Sequence, residues 1–230
     1  MGADLMVLPQ SVEINTRALF TGEAESMLMG GPQTGEFIES RLLSEVTRVD
    51  GVRQASPHLY LATWDEGGTC CRFTDVQVIG FEPKTDFIVQ RLVENRYEIK
   101  EPFAHNEIFL GYQLTPEMED YEVLRLWKVY GYRFKVIGRL KKTGTALDFS
   151  MFLPLSGAYV MAKTATKNAG REQGERLGKV KEGMVSAFMV KVDPLAVRPK
   201  EIRTRIKRAI PGMTVISTAE IVTSLQRQLY

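Results

Sequence analysis

The sequence predicts an α+β fold in which the two chain ends supply a split pair of β-α-β units and a β-rich lobe is inserted between them. Three observations carry this. The segments LLSEVTRVDGVRQAS and TRIKRAIPGMTVIST, near opposite ends, both read as helix, glycine-containing turn and strand. An apolar strand-like run precedes each helix. The middle of the chain instead crowds strand candidates together with little helical pattern. A four-stranded, helix-covered sheet of the split ferredoxin-like kind is what two such end units build.

Taken in order, Ala3 to Leu8 is a compact apolar run stopped by Pro9 and reads as a strand. Residues 16–35 mix short apolar patches with Gly and Pro, giving either an ordered excursion or a mobile loop. Ile38, Leu42 and Val46, at i, i+4 and i+8, predict a helix over 37–49 that Asp50-Gly51 ends, and Val52 to Thr63 is then extended. In the middle, VQVIGF, NEIFLG, EVLRLWKV and YRFKVIGRL read as strands, with a short helix over Gln113 to Glu119. Tyr132, Phe134 and Val136 share one face and Arg133 and Lys135 the other, the alternation of a half-buried antiparallel strand, and Tyr130-Gly131 turns the hairpin before it.

The glycine-rich, mixed-charge stretch TKNAGREQGERLGKVKEGM reads as a mobile loop. A helix over Arg171 to Leu177 is weakened by about 1 kcal/mol for each isolated glycine. VSAFMVKV from Val185 is a strand, and Ile202, Ile206 and Ile210 stripe a helix that Pro211-Gly212 stops. Met213 to Ile216 supplies the next strand, and Ile221, Val222, Leu225 and Leu229 stripe a last helix. The expected division is 1–74 for the first half of the end-built body, 75–164 for the inserted lobe, and 165–230 for the loop and second half.

Composition excludes several function classes. The chain has 230 residues, 44% hydrophobic and 25% charged, and can bury one large core or two modest ones. Its net charge of +2, from 30 basic and 28 acidic residues, is too balanced for a phosphate-binding surface, so no nucleic-acid partner is expected. No run approaches the roughly 20 apolar residues of a membrane-spanning helix, and MGADLMVLPQ has no signal-peptide pattern. Both ends fall inside regular elements, as in a segment of a longer protein.

Chemical motifs are sparse. Cys70 and Cys71 are adjacent, fitting neither a Cys-x-x-Cys motif nor a two-bridge framework; they read as two ordinary thiols or, in an oxidising compartment, as a strained vicinal disulfide. The histidines, His58 and His105, lie far apart without ligand-spaced neighbours, so no metal site is expected and each reads as a satisfied core or surface residue. KTGTALD at Lys142 to Asp148 lacks the phosphate-loop pattern and reads as a loop. Glu117, Glu119, Asp120 and Glu122 read as a solvated helix end. Arg198, Lys200, Arg203, Arg205, Lys207 and Arg208 crowd one helix without interleaved aromatics; the solvated face of an amphipathic helix is favoured, with an anionic membrane surface as the alternative. No catalytic residue and no cofactor is assigned.

Read as an ordered set, GADLMVLP, VDGVRQASPHLYLATW, the Cys pair, VQVIGFEPKTDFIV, FKVIGRLKKTGTALDFSMFLPL and IPGMTVIST resemble the periplasmic core domain of MacB-type ABC permeases, within the wider FtsX-like group. The resemblance covers nearly the whole chain and rests on structural segments. It implies a domain inserted between the first two transmembrane helices, on the periplasmic or extracellular side of the cell membrane. It implies a porter-like body from both ends with a β-rich insertion, and a non-catalytic role. The implied partners are a cytoplasmic ATPase subunit acting through the transmembrane helices, a second permease copy, and a periplasmic adaptor or lipoprotein. Residues 16–35 and 164–183 depart from the pattern, and no substrate-binding residue carries over. An efflux or lipoprotein-release permease domain is thus weighed against a free-standing enzyme, which lacks a candidate site, and a cell-surface binding module.

Overall fold

In a computed structural model, residues 3–10, 36–64, 75–95, 97, 102–114, 126–129, 131–168, 175, 177–195 and 198–218 are described. They form two compact units. The first comprises Met1–His58, Lys84–Ile88 and Gly183–Tyr230, and the second Leu59–Pro83 and Val89–Glu182. The sequence placed its divisions at 74/75 and 164/165. Here a helix and the buried Leu177 fall in the second unit, and Lys84–Ile88 falls in the first.

In the first unit, β1 (Leu5–Pro9) is buried along its whole length, because it lies between two neighbours and both of its faces are covered. On one side is β10 (Ala187–Val192), with Leu5 opposite Val190; on the other is β11 (Met213–Ser217), with Leu5 opposite Ser217. β10 pairs in turn with the first part of β3 (Val52–Trp64). The spatial order is β11-β1-β10-β3, and each of these pairs is antiparallel. Helix α1 (Leu43–Thr47) connects β1 to β3 in sequence, and helix α4 (Pro199–Ala209) connects β10 to β11. In chain order the four strands therefore lie fourth, first, third, second. Pro57, which cannot donate to a ladder, sits opposite Phe188 on the strand that ends this order.

The helix predicted over 37–49 is shorter than the periodicity suggests. Ile38–Glu39 (β2) pairs with Met184–Val185 (β9), the Ser40 amide donates to the Gly183 carbonyl at 2.7 Å, and a 3-10 turn over Ser40–Leu42 precedes α1. Those early residues exchange intrahelical bonds for a tertiary pairing that the local pattern cannot reveal. α4 matches its stripe: Ile202, Ile206 and Ile210 are buried, Pro199 occupies the first turn, and Gly212 takes the left-handed conformation (φ 80°) just beyond.

In the second unit the order from the latter part of β3 is β3, β4 (Asp75–Phe81), β8 (Ser150–Pro154), β5 (Glu107–Leu110), β7 (Tyr132–Arg139), β6 (Leu126–Val129). β4 and β8 are parallel, as are β5 and β7, whereas β8 with β5 and β7 with β6 are antiparallel. On β7, Phe134 and Val136 are buried and Arg133 is exposed, the expected alternation. The short helix α2 (Val89–Leu92) and the 14-residue helix α3 (Leu155–Asn168) complete the unit.

α3 corrects the reading of this region as strands with one short helix and runs a few residues past Thr164, while 169–174 and 176 of the expected mobile loop lie outside the described residues. Its buried residues are Leu155, Ala158, Met161, Ala162 and Ala165. Mostly small, they give a weak hydrophobic stripe, yet they let the helix approach the sheet closely: a Cβ on Gly80 of β4 would lie 2.9 Å from the Ala158 Cβ. The expected helix at Gln113 to Glu119 is a 3-10 turn over Tyr112–Leu114, and the remainder lies outside the described residues, as do 16–35 and the final stripe from Ile221.

Candidate functional site

Cys70 and Cys71 lie outside the described residues, as do Glu117, Glu119, Asp120 and Glu122. Among the described residues no group of three or more His, Cys, Asp or Glu could hold a metal ion. No described helix is long and apolar enough to cross a membrane.

His58 is a core histidine. It ends the part of β3 that belongs to the first unit, is 3% exposed, and places Nε2 3.1 Å from Asp86 Oδ1. Asp86 Oδ2 accepts the Ile88 amide at 3.1 Å, and the His58 carbonyl accepts the Ser186 amide at 2.8 Å. Ser56 and Thr85 hydroxyls meet at 3.3 Å beside them. Histidine and carboxylate thus hold segment Lys84–Ile88 against the first unit's strands, a fastening role that spacing in the sequence could not show. His105 is exposed, its ring 6.3 Å from that of Tyr132.

The Lys142 to Asp148 loop is a closed turn, not a phosphate cradle. Buried Asp148 accepts from the Thr143 amide (2.8 Å), the Thr143 hydroxyl (2.7 Å) and the Gly144 amide (2.8 Å). Thr145 caps the 3-10 turn Ala146–Phe149 through the Leu147 amide. The amides that a phosphate would need are turned onto the protein's own carboxylate. Gly111 touches the back of this turn, where a Cβ would fall 2.3 Å from the Leu147 carbonyl oxygen.

On α4, Lys200, Lys207 and Arg208 are exposed, as is Arg198 at its N-cap, and Arg205 pairs with Asp50 at 2.6 Å. These side chains lie on the exposed side of an amphipathic helix whose isoleucines are buried.

The most organised polar cluster joins the two ends of the first unit's sheet. Because β1 and β11 are antiparallel neighbours, Ala3 and Asp4, just before β1, lie beside Thr218, just after β11. The buried Thr218 hydroxyl donates to the Ala3 carbonyl (2.8 Å) and approaches the Asp4 carbonyl (3.2 Å), which also accepts the Thr218 amide (3.1 Å). The Asp4 carboxylate takes the Val192 amide (3.0 Å) and the Lys191 ammonium (3.0 Å), and the Asp4 amide donates to the Val190 carbonyl (2.8 Å). β1, β10 and β11 are therefore tied at one end, where the chain enters and leaves the sheet. The sequence predicts the first strand, but not its tie to Thr218, because residues so far apart in sequence share no local signal.

No family model matches the chain, and no curated protein matches it. Among solved structures, it is similar to the periplasmic region of MacB from Actinobacillus actinomycetemcomitans, at 10% identity and a TM-score of 0.62, covering 98% of this chain and 94% of that one. It is also similar to the extracellular domain of the noncanonic ABC-type transporter YknZ from Gram-positive bacteria, at 14% identity and a TM-score of 0.53, covering 93% and 98%. At such identities the likeness concerns the fold, and over nearly its whole length this chain has the α+β fold of the MacB-like periplasmic core domain.

Proposed function

We propose that this chain is the extracytoplasmic domain of an ABC transporter permease and that it is a mechanical and partner-binding element, not a catalyst. The observation that carries the reading is the likeness of fold to the MacB periplasmic region over 98% of the chain. The tie between Ala3, Asp4 and Thr218 supports it: a domain inserted between two membrane helices must receive and return the chain at one end. The strand order fourth, first, third, second supports reading the first unit as a split ferredoxin-like, porter-type body.

In this reading, ATP hydrolysis on a cytoplasmic ATPase subunit moves the transmembrane helices, and the paired β1 and β11 pass that movement into the sheet. A second permease copy and a periplasmic adaptor or lipoprotein are the remaining partners, with efflux or lipoprotein release as the transport task. A membrane-impermeant maleimide applied to intact cells tests the placement through Cys70 and Cys71, after reduction. Labelling from outside, abolished by replacing both cysteines, is expected; labelling only after lysis overturns the reading.

A further inference from the structure

The end of the first unit where the chain enters and leaves the sheet also carries the turn that follows β10. Val192 ends β10; its amide donates to Asp4 Oδ2, and it stands opposite Val52 in register. Ala3, Val52, Val192 and Thr218 therefore mark one end of the four strands, while Gln10 and Gly212 mark the other. Past Val192 the chain turns sharply. The Asp193 amide donates to the Gly51 carbonyl at 2.9 Å, and Asp193 Oδ1 accepts the Leu195 amide at 3.0 Å, a turn closed by its own carboxylate.

That turn presents Leu195 with 92% of its surface exposed, far more than Leu126 at 61%, Phe149 at 52% or Val160 at 39%. Arg198 and Lys200, both exposed, follow it at the start of α4. A leucine held out in such a turn adds nothing to the core, and an exposed leucine followed by two exposed cations matches the chemistry of a bilayer interface; of the acidic neighbours, Asp193 is engaged by the Leu195 amide and Glu201 lies beyond Lys200 in the first turn of α4. The apolar side chain fits below the headgroups and the cations meet anionic phosphates.

We propose that Leu195, in the turn after β10, and Arg198 and Lys200, at the start of α4, form a membrane-interface contact, with the leucine entering the headgroup region and the cations meeting anionic lipid beside the chain's two junctions. The proposal rests on the permease reading, which sets this end of the first unit toward the bilayer. One leucine and two cations bind a free vesicle weakly, but attachment at the junctions makes the contact intramolecular and raises the effective lipid concentration. The contact would hold the first unit against the leaflet.

The test uses the 230-residue chain with C70S and C71S, tethered through an N-terminal hexahistidine tag to vesicles containing nickel-chelating lipid. An environment-sensitive nitrobenzoxadiazole probe is placed at P194C, beside Leu195, or at P211C, at the opposite end of the strands. On phosphatidylcholine vesicles containing phosphatidylglycerol, emission from position 194 should shift to shorter wavelength, and L195D should abolish the shift. R198E with K200E should lower the docked fraction on the order of tenfold, and added salt should act in the same direction. Emission from position 211 should stay aqueous. Aqueous emission from position 194 on these vesicles overturns the proposal, as does a shift without vesicles or an equal shift at position 211. External labelling in cells together with an aqueous probe at 194 sinks only the loop contact, whereas cytoplasmic labelling sinks the permease reading itself.

Discussion

At the scale of single residues, the polar groups this protein buries are fastenings. Removing one partner of a buried histidine–carboxylate pair leaves the other desolvated, so D86A is expected to destabilise the chain by about 3–5 kcal/mol, read as a lower urea midpoint. D86N keeps an acceptor for the Ile88 amide and should cost less. Gly111 is held by lack of space: a Cβ there meets backbone oxygen, which cannot turn aside as a side chain could, so G111A should cost about 1–3 kcal/mol in the same assay. Burial raises the Tyr132 phenol above its ordinary 10.0. The unfolded phenol then ionises first, so the stability Tyr132 contributes is present below pH 10.0 and is lost as pH climbs through the folded value. Y132F should flatten that alkaline loss, as followed by urea unfolding across the pH range. His58 is visible in the sequence, but its partner is 28 positions away and cannot be read from spacing.

At the scale of elements, α4 was legible because three isoleucines recur at helical spacing between a proline start and a proline-glycine stop. Its isoleucine face is the buried one, so I206A, at a fully buried position, should cost about 2–5 kcal/mol while K207A, exposed, stays within about 0.5 kcal/mol, compared by thermal or urea unfolding. α3 was not legible, because alanines carry its buried face and Gly157 near its start argues against a helix. Gly157 is required there for a tertiary reason: a Cβ would fall 2.0 Å from the His105 carbonyl oxygen. The first residues of the predicted 37–49 helix were misjudged for a related reason, since β9 captures Ile38 and Glu39 in a ladder.

At the scale of the whole molecule, the coupling role predicts that the junctions matter for transport more than for hydrolysis. Flexible glycines inserted before Ala3 and after Thr218 should leave ATP hydrolysis running while transport falls, measured side by side in the reconstituted transporter; unchanged transport would sink the lever reading. Local apolar runs, the helical stripe of α4 and the turn glycines were enough to determine an α+β chain with most of its strands, because propensity and periodicity act over a few residues. Which strands become neighbours, the return of Lys84–Ile88 to the first unit, and the meeting of Asp4 with Thr218 and Lys191 were decided only by the tertiary structure. Those contacts join residues far apart in sequence, and the burial and hydrogen bonding that select them exist only once the sheet has formed.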